Sequence, residues 1–243
     1  MRDELVDIVG HTHKLGIFDT IKVIGTDEST NLETEAEDHS VIMRAAFTNP
    51  MSEFDGTFGI PGINQLATLL NLDEYVNDSK INIMSKDQNG EKVLTGIHFE
   101  NASGSFVNDF RFMTSALVNE KLKTLEFNEP TYEVEIEPSL ISIQRLRQQS
   151  LANGNELLFT AVVEDGELNF NFGDHSTNSG KFSFASGQSD RLNKAWAYPV
   201  SQVMGILALA GDITMKFSNA GALVIDVNSG IIKYTYILPA QAK

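Results

Sequence analysis

The chain has 243 residues, 42% of them hydrophobic, and carries 33 Asp+Glu against 18 Lys+Arg for a formal net charge of −15. Taken alone, that charge argues against a protein that grips nucleic acid through many phosphate contacts. The absence of cysteine excludes disulfide scaffolds and thiolate sites, no apolar run reaches the length of a membrane span, and the acidic opening Met1 to Leu5 lacks the apolar stretch of a secretory signal.

Residues Arg2 to Leu15 have helical spacing, with Leu5, Ile8, Val9, Thr12 and Leu15 on one stripe. Asp3 and Glu4 at its start and Lys14 at its end suit the helix dipole. Short β-type runs follow at Ile21–Ile24 and Val41–Phe47. The polar, acidic stretch Thr26 to Asp38 between them reads as an exposed loop or a weak edge strand. Glu53–Ile60 is the next strand and leads into a helix over Pro61–Leu72 with Ile63, Leu66, Leu69 and Leu70 inward. Ile81–Asp87 and Val93–Phe99, joined through Asn89-Gly90, form a hairpin. Phe106 to Met113, with Phe106, Phe110 and Phe112 alternating, is another strand.

Residues 117–131 are charged, end in proline and read as a connector. The chain then restarts with the strand Tyr132–Ile136 and a helix over Ser139–Leu151, for which Leu140, Ile143, Leu146 and Leu151 are expected inward. A second hairpin spans Leu157–Val163 and Leu168–Phe172 about Asp165-Gly166, and Lys181–Ala185 is a strand. A helix entered through Pro199 follows, with Val200, Val203, Ile206, Leu207 and Ala210 inward and Leu209 outside the stripe. Strands from Ile213, at Leu223–Val227 and from Ile231 to Leu238 close the chain.

The two halves repeat. Leu5 and Ile8 match Leu140 and Ile143 at an offset of 135, and Gln65 matches Gln202 at 137. A near-constant offset through the chain points to one module written twice: residues 1–116, then a connector at 117–131, then 132–243. Each half reads as helix, strands, helix, strands, an α+β fold with two helices packed on antiparallel sheet.

The chain offers little chemistry. His11 and His13 stand two apart, a spacing that does not share a helix face, and no acid pair completes a metal site. His175 reads as a surface residue of a turn. No phosphate-loop, dinucleotide or nucleophile-elbow motif occurs, and Glu164–Glu167 lacks the ligand spacing of a calcium loop. No metal, cofactor or catalytic residue is therefore assigned. The cations are placed more tellingly: Gln144, Arg145, Gln148 and Gln149 lie off the expected Leu140/Ile143 stripe, Arg147 sits at its margin, and Lys14 ends the first helix.

The segments Ser139–Arg145, Asp165–Phe170, Tyr198–Phe217 and Ile232–Pro239, in this order and with the duplication, resemble the ring-shaped DNA sliding clamps. The likeness is greatest to the polymerase clamps of T-even-like bacteriophages and extends to proliferating-cell nuclear antigen. It implies a non-enzymatic homotrimer whose helices line a hole around duplex DNA and whose outer surface tethers a DNA polymerase after a clamp loader opens the ring. A phage origin would place it in the cytoplasm of an infected bacterium. On this resemblance Lys14, Gln144, Arg145, Arg147 and Gln148 face DNA, and Leu117, Val118, Leu238, Pro239 and Ala240 take a client peptide. Edge strands carrying Phe106, Phe110, Phe182 and Phe184 would join neighbouring subunits. In the cellular relatives lysines stand on the helix that here spans Ile63–Leu72, which has none, so the inner surface is expected to be mildly positive. The alternative is an acidic, β-rich viral structural or adhesion protein without a DNA role; it accounts for the charge but not for helices repeating in register. A hydrolase with dispersed carboxylates ranks below both.

Overall fold

The computed structural model describes residues 1–88, 90–123, 127–174, 178–189 and 191–241. Asn89 of the expected turn, residues 124–126 of the expected connector, His175 and Ala242–Lys243 lie outside the described residues. The chain divides into two compact units, Met1–Glu126 with Asn228–Tyr234, and Phe127–Val227 with Thr235–Lys243.

The first unit opens with α1 (Arg2–Thr12), which tightens into a short 3-10 turn at His13–Leu15 and stops at Gly16, held in the left-handed region. Strands β1 (Ile21–Gly25), β2 (Thr30–Glu35), β3 (Ile42–Phe47) and β4 (Gly56–Ile60) follow, then α2 (Ile63–Leu70) and the one-turn α3 (Asp73–Val76). Strands β5 (Lys80–Gln88), β6 (Glu91–Glu100) and β7 (Val107–Arg111) make an antiparallel sheet in that order, and α4 (Ser115–Lys121) follows them. In the other sheet the order is β4-β1-β2-β3, all antiparallel.

The second unit begins with β8 (Val134–Ile136) and α5 (Leu140–Ala152). Then come β9 (Leu158–Glu164), β10 (Glu167–Phe172), β11 (Gly180–Ser186) and β12 (Trp196–Pro199), ordered β12-β9-β10-β11. Helix α6 (Val200–Ile206) leads to β13 (Asp212–Phe217), β14 (Ala222–Asn228) and β15 (Ile232–Pro239), the last starting in the first unit. The module is thus written twice: helix, four strands, helix, three strands, with the second strand of each set of four between the first and the third. The registers repeat as well: Ile21↔Ile60 in the first unit is matched by Tyr198↔Phe159 in the second, each residue 138 positions on.

Core formation follows alternation and helical period. Leu5, Ile8, Ile63 and Leu66 are fully or almost fully buried on α1 and α2, and Val203 and Ile206 on α6. Aromatic pairs fill the second unit's core, with Phe170 stacked on Phe184 at 4.3 Å and Phe159 at 4.4 Å from Phe170.

Several local expectations change. The acidic stretch 26–38 contains a true strand, because Thr30, Leu32 and Thr34 alternate inward and are buried while the acids point out. Residues 117–121 belong to α4, whose Val118 packs over Gly59; a Cβ at Gly59 would lie 2.9 Å from Val118 Cγ2. On α5 the expected inward row holds only in part: Leu146 is buried and Ile143 half-buried, but Leu140 is 85% and Leu151 77% exposed. The inward row combines Leu146 with Ser142 and Asn153, with half-buried Gln149. A narrow polar seam suffices because α5 lies on β11, where Gly180 makes room for Gln149 and Asn153. Helix α6 ends at Ile206, so the helical phase does not extend to Leu209, which is buried, or Ala210, which is exposed.

Candidate nucleic-acid interface

Helices α1 and α2 pack together in the first unit, and α5 and α6 in the second. The outward face of α2 carries Asn64, Gln65 and Thr68; that of α6 carries Ser201, with exposed Ala208 just beyond its end. Helix α5 turns Gln144, Arg145, Arg147 and Gln148 to solvent, and Lys14 is exposed beyond α1. All five residues expected to face DNA are therefore accessible, four of them on one helix.

The acids are distributed otherwise. Helices α2, α5 and α6 contain none, and α1 contains Asp3, Glu4 and Asp7. Glu4 is paired with the N-terminal amine, whose hydrogen bond holds its carboxyl below the usual range. Asp7 turns away from the helix surface: it accepts hydrogen bonds from Ser229 Oγ at 3.0 Å and Tyr234 Oη at 2.8 Å, and His11 stacks on the Tyr234 ring at 4.4 Å. Sequence periodicity could not show this, since both partners come from more than 220 positions away. The four helices and Lys14 thus hold Arg2, Lys14, Arg145 and Arg147 against three acids, two of which have internal partners. These helices are mildly positive within a strongly acidic chain.

The other expected surfaces separate into exposed and buried members. Among the client residues, Leu117 is 55% exposed and Pro239 exposed, Ala240 is half-buried, and Val118 and Leu238 are fully buried, so the last two present no surface. Among the interface residues, Phe106 is exposed and Phe182 half-buried, whereas Phe110 and Phe184 sit in the cores of their units. The first unit also has a cleft of about 670 Å³ lined by Ile17, Phe18, Asp19, Glu35, Lys121 and Leu122 among others. The sequence signal for it was slight: Leu122 sits in a charged stretch and buries against the sheet. At its rim Lys121 Nζ donates to Asp19 at 2.9 Å, and that bond lowers the Asp19 carboxyl from its ordinary range. Among the described residues no group of three His, Cys, Asp or Glu side chains could hold a metal ion.

No protein-family model matches the chain, and no curated protein sequence matches it. Its fold, however, matches solved structures over its whole length. The A. fulgidus PCNA bound to the C-terminal region of FEN-1 aligns with a TM-score of 0.69 at 9% identity, covering 100% of this chain and 97% of that one. The PCNA of Thermococcus kodakaraensis aligns at 0.67 and 11% identity, over 99% and 97%. Proliferating Cellular Nuclear Antigen from Entamoeba histolytica aligns at 0.68 and 14%, over 98% and 96%. At such identities the likeness is one of fold, and the α+β chain described above has the clamp fold of these proteins from end to end.

Proposed function

We propose that this chain is the subunit of a DNA sliding clamp. Three copies close into a ring around duplex DNA, a clamp loader opens it, and a DNA polymerase tethered outside gains processivity. The protein has no catalytic step of its own: it holds DNA by enclosure, and exposed Lys14, Arg145 and Arg147 make weak, sequence-independent phosphate contacts. The observation that carries this reading is the segregation of charge on a clamp fold. Of the four helices α1, α2, α5 and α6, three lack any acid in a chain of net charge −15. The polymerase segment docks on the first unit, at the cleft beside Leu122 with exposed Leu117 on the same helix, as the A. fulgidus protein binds a C-terminal region of its own partner. The sequence resemblance to T-even-like clamps supports a phage origin for the chain and, with it, the cytoplasm of the infected bacterium as its place of action.

The test compares the native protein with the triple variant Lys14→Glu, Arg145→Glu, Arg147→Glu. The native protein should be retained on closed circular DNA after loading and lost when the circle is cut, and should lengthen polymerase products. The variant should fold and assemble normally but load more slowly or shorten the products. Tight, sequence-specific binding of the native protein to a short linear duplex would overturn the proposal.

A further inference from the structure

The two units differ along one sheet edge. In the second, β8 lies on the outer side of β13, with Ile136 opposite Met215 and Val134 opposite Phe217. In the first, β5 is the last strand of its sheet, and among the described residues no strand pairs along its outer side. That side is an open backbone edge.

Strands β5 and β13 are the same strand of the repeated module. The bridges Gly59↔Met113 and Ala197↔Gln241 are equivalent, which equates Met113 with Gln241. One residue back, Phe112 N–H donates to Thr95 O, and Ala240 N–H donates to Gly221 O in the same way, so Thr95 stands where Gly221 does. Ile97 then matches Leu223. Ile97 pairs with Ile83, and the turn bond from Ser218 N–H to Ala222 O sets Phe217 against Leu223. Ile83 therefore stands where Phe217 does, and Ile81 where Met215 does. Their surroundings differ as the missing neighbour requires. Met215 and Phe217 are 0% exposed beside β8, whereas Ile81 and Ile83 are only half-buried. Phe99 and Ile97, their partners on β6, are fully buried, so both isoleucines point to the core side and lack cover at the free edge alone.

We propose that the outer edge of β5 docks an extended segment of a partner protein, added antiparallel, with apolar residues opposite Ile83 and Ile81, a polar residue between them opposite Asn82, and basic residues after the apolar pair.

The occupant's chemistry is read from β8 and from the charge around the edge. Val134, Glu135 and Ile136 of β8 supply the apolar–polar–apolar order, with Val134 and Ile136 2% and 8% exposed once seated. Asn82 stands where Lys216 does, so the middle residue need not be an acid as Glu135 is. Beyond Ile81 an antiparallel segment runs past exposed Asp78 and Asp73, in a chain of net charge −15, which favours basic residues there. Backbone phase makes the edge competent. Asn101 N–H donates to Phe106 O and Phe112 N–H to Thr95 O, so the odd residues of β6 face β7 and its even residues face β5. Across Glu100↔Lys80, His98↔Asn82 and Gly96↔Met84, the even residues of β5 spend their backbone bonds on β6. Ile81 and Ile83 turn N–H and C=O outward, and each can exchange both bonds with the residue opposite. The usual protections of an edge are missing from this stretch. It contains no proline, its inward side chains are uncharged, and its register slips only beyond Met84. Lys80 is held by Glu100, at 2.7 Å from Nζ to Oε1. Strand addition of this kind takes affinity from main-chain bonds and specificity from alternate side chains.

The inference uses only the repeated module and does not depend on the ring proposed above. Its test uses the full chain and a labelled synthetic peptide, Thr-Val-Thr-Ile-Ser-Lys-Lys, in which Val and Ile come opposite Ile83 and Ile81. Fluorescence anisotropy should show saturable binding at or below about 1 mM. Amide exchange at Ile81 and Ile83 should slow on binding, because those N–H groups gain acceptors. The same peptide N-methylated at Val and Ile loses both of its inward donors and should bind about tenfold more weakly or worse. Ile81→Pro removes one outward N–H while leaving the ladder to β6 intact, and should also weaken binding. The N-methyl peptide needs no altered protein, so the test survives a variant that folds poorly. Absence of binding at about 1 mM with unchanged exchange at Ile81 and Ile83 overturns the proposal. So does binding that N-methylation leaves untouched, or protection that appears at β7 or β11 instead. Slow exchange at Ile81 and Ile83 in the native protein without peptide would show the edge already covered, by a second copy or by chain preceding α1, and would overturn the partner segment as its occupant.

Discussion

Replacing Asp7 by alanine tests whether the acid nearest the middle of α1 acts on DNA or on the fold. Its carboxylate accepts from Ser229 Oγ and Tyr234 Oη, and Tyr234 is 0% exposed. A hydrogen bond to a charged acceptor contributes about 1.5–3 kcal/mol, and a buried donor left unpaired costs about 1–3 kcal/mol. Ser229 keeps the carbonyl of Ile232 at 3.0 Å as a second acceptor, which limits the loss on its side. Asp7→Ala should therefore cost about 3 kcal/mol. Relief of charge repulsion in this acidic chain works in the opposite direction but is screened over about 8 Å at physiological salt and does not change the sign. Tyr234→Phe should cost less, because Asp7 retains Ser229, and the double variant should show a coupling of about 1.5 kcal/mol. Denaturant unfolding at fixed protomer concentration measures the change, since assembly would otherwise mask it. Hydrogen exchange at residues 228–234 localises it. A cost below about 1 kcal/mol with unchanged protection there would show that the cluster does not anchor this segment, and Asp7 would return to the balance of the helix surface.

Other substitutions probe neighbouring features. Gly59→Ala places a Cβ 2.9 Å from Val118 Cγ2 and 3.0 Å from Met113 Cβ. It should cost about 1–3 kcal/mol by overpacking, partly recovered in combination with Val118→Ala, as read by thermal unfolding. Lys121→Met removes the hydrogen bond that most lowers the Asp19 pKa, so carbon-detected titration should show that carboxyl moving up toward the ordinary aspartate range, with the Thr20 hydrogen bond still holding it somewhat below. The pair stabilises above the unfolded carboxyl's pKa and loses its effect as pH falls through the lower folded value, so the variant should differ from native at neutral pH and converge with it in acid. Both groups are largely exposed, so the difference should stay below about 1 kcal/mol. Leu146→Ala should cost about 2–5 kcal/mol, while Leu140→Ser, on the same helix but facing solvent, should change unfolding by less than about 0.5 kcal/mol.

The contrast between Leu146 and Leu140 also explains what the sequence could and could not show. The duplication was legible because the registers of the paired strands demand similar spacings in both halves, and Ile21↔Ile60 recurs as Phe159↔Tyr198. The face of α5 was not, because hydropathy assigns leucines inward, whereas this helix seats Ser142, Gln149 and Asn153 against a strand that begins with glycine. Asn153 Nδ2 donates to Gln149 Oε1 at 2.9 Å, so the polar groups of the seam satisfy one another without solvent. The residues expected to face DNA are nevertheless accessible, since Arg145, Arg147, Gln144 and Gln148 are exposed under either phase. The client and interface sets mixed exposed with buried residues for another reason. Val118, Leu238, Phe110 and Phe184 are apolar members of real edges or connectors, and apolar residues there are as readily core as surface until their neighbours are known.

The charge that seemed hardest to reconcile with DNA becomes informative once the helices are separated from the rest. Arg2, Lys14, Arg145 and Arg147 face three acids across the four helices, and Glu4 and Asp7 among those acids have partners within the protein. Nearly the whole surplus of acid therefore lies outside these four helices. A surface of few cations among glutamine, asparagine, serine and threonine offers a duplex many replaceable hydrogen bonds and little electrostatic trapping. Each phosphate neutralised would release counterions and strengthen the hold, and a strong hold would resist translation along the duplex. If enclosure prevents escape, affinity no longer has to, and weak contacts become the favourable solution for movement. On the proposed clamp the acidic remainder would have its own physical consequence: it would disfavour the approach of nucleic acid to surfaces other than those of α2, α5 and α6, the helices without an acid.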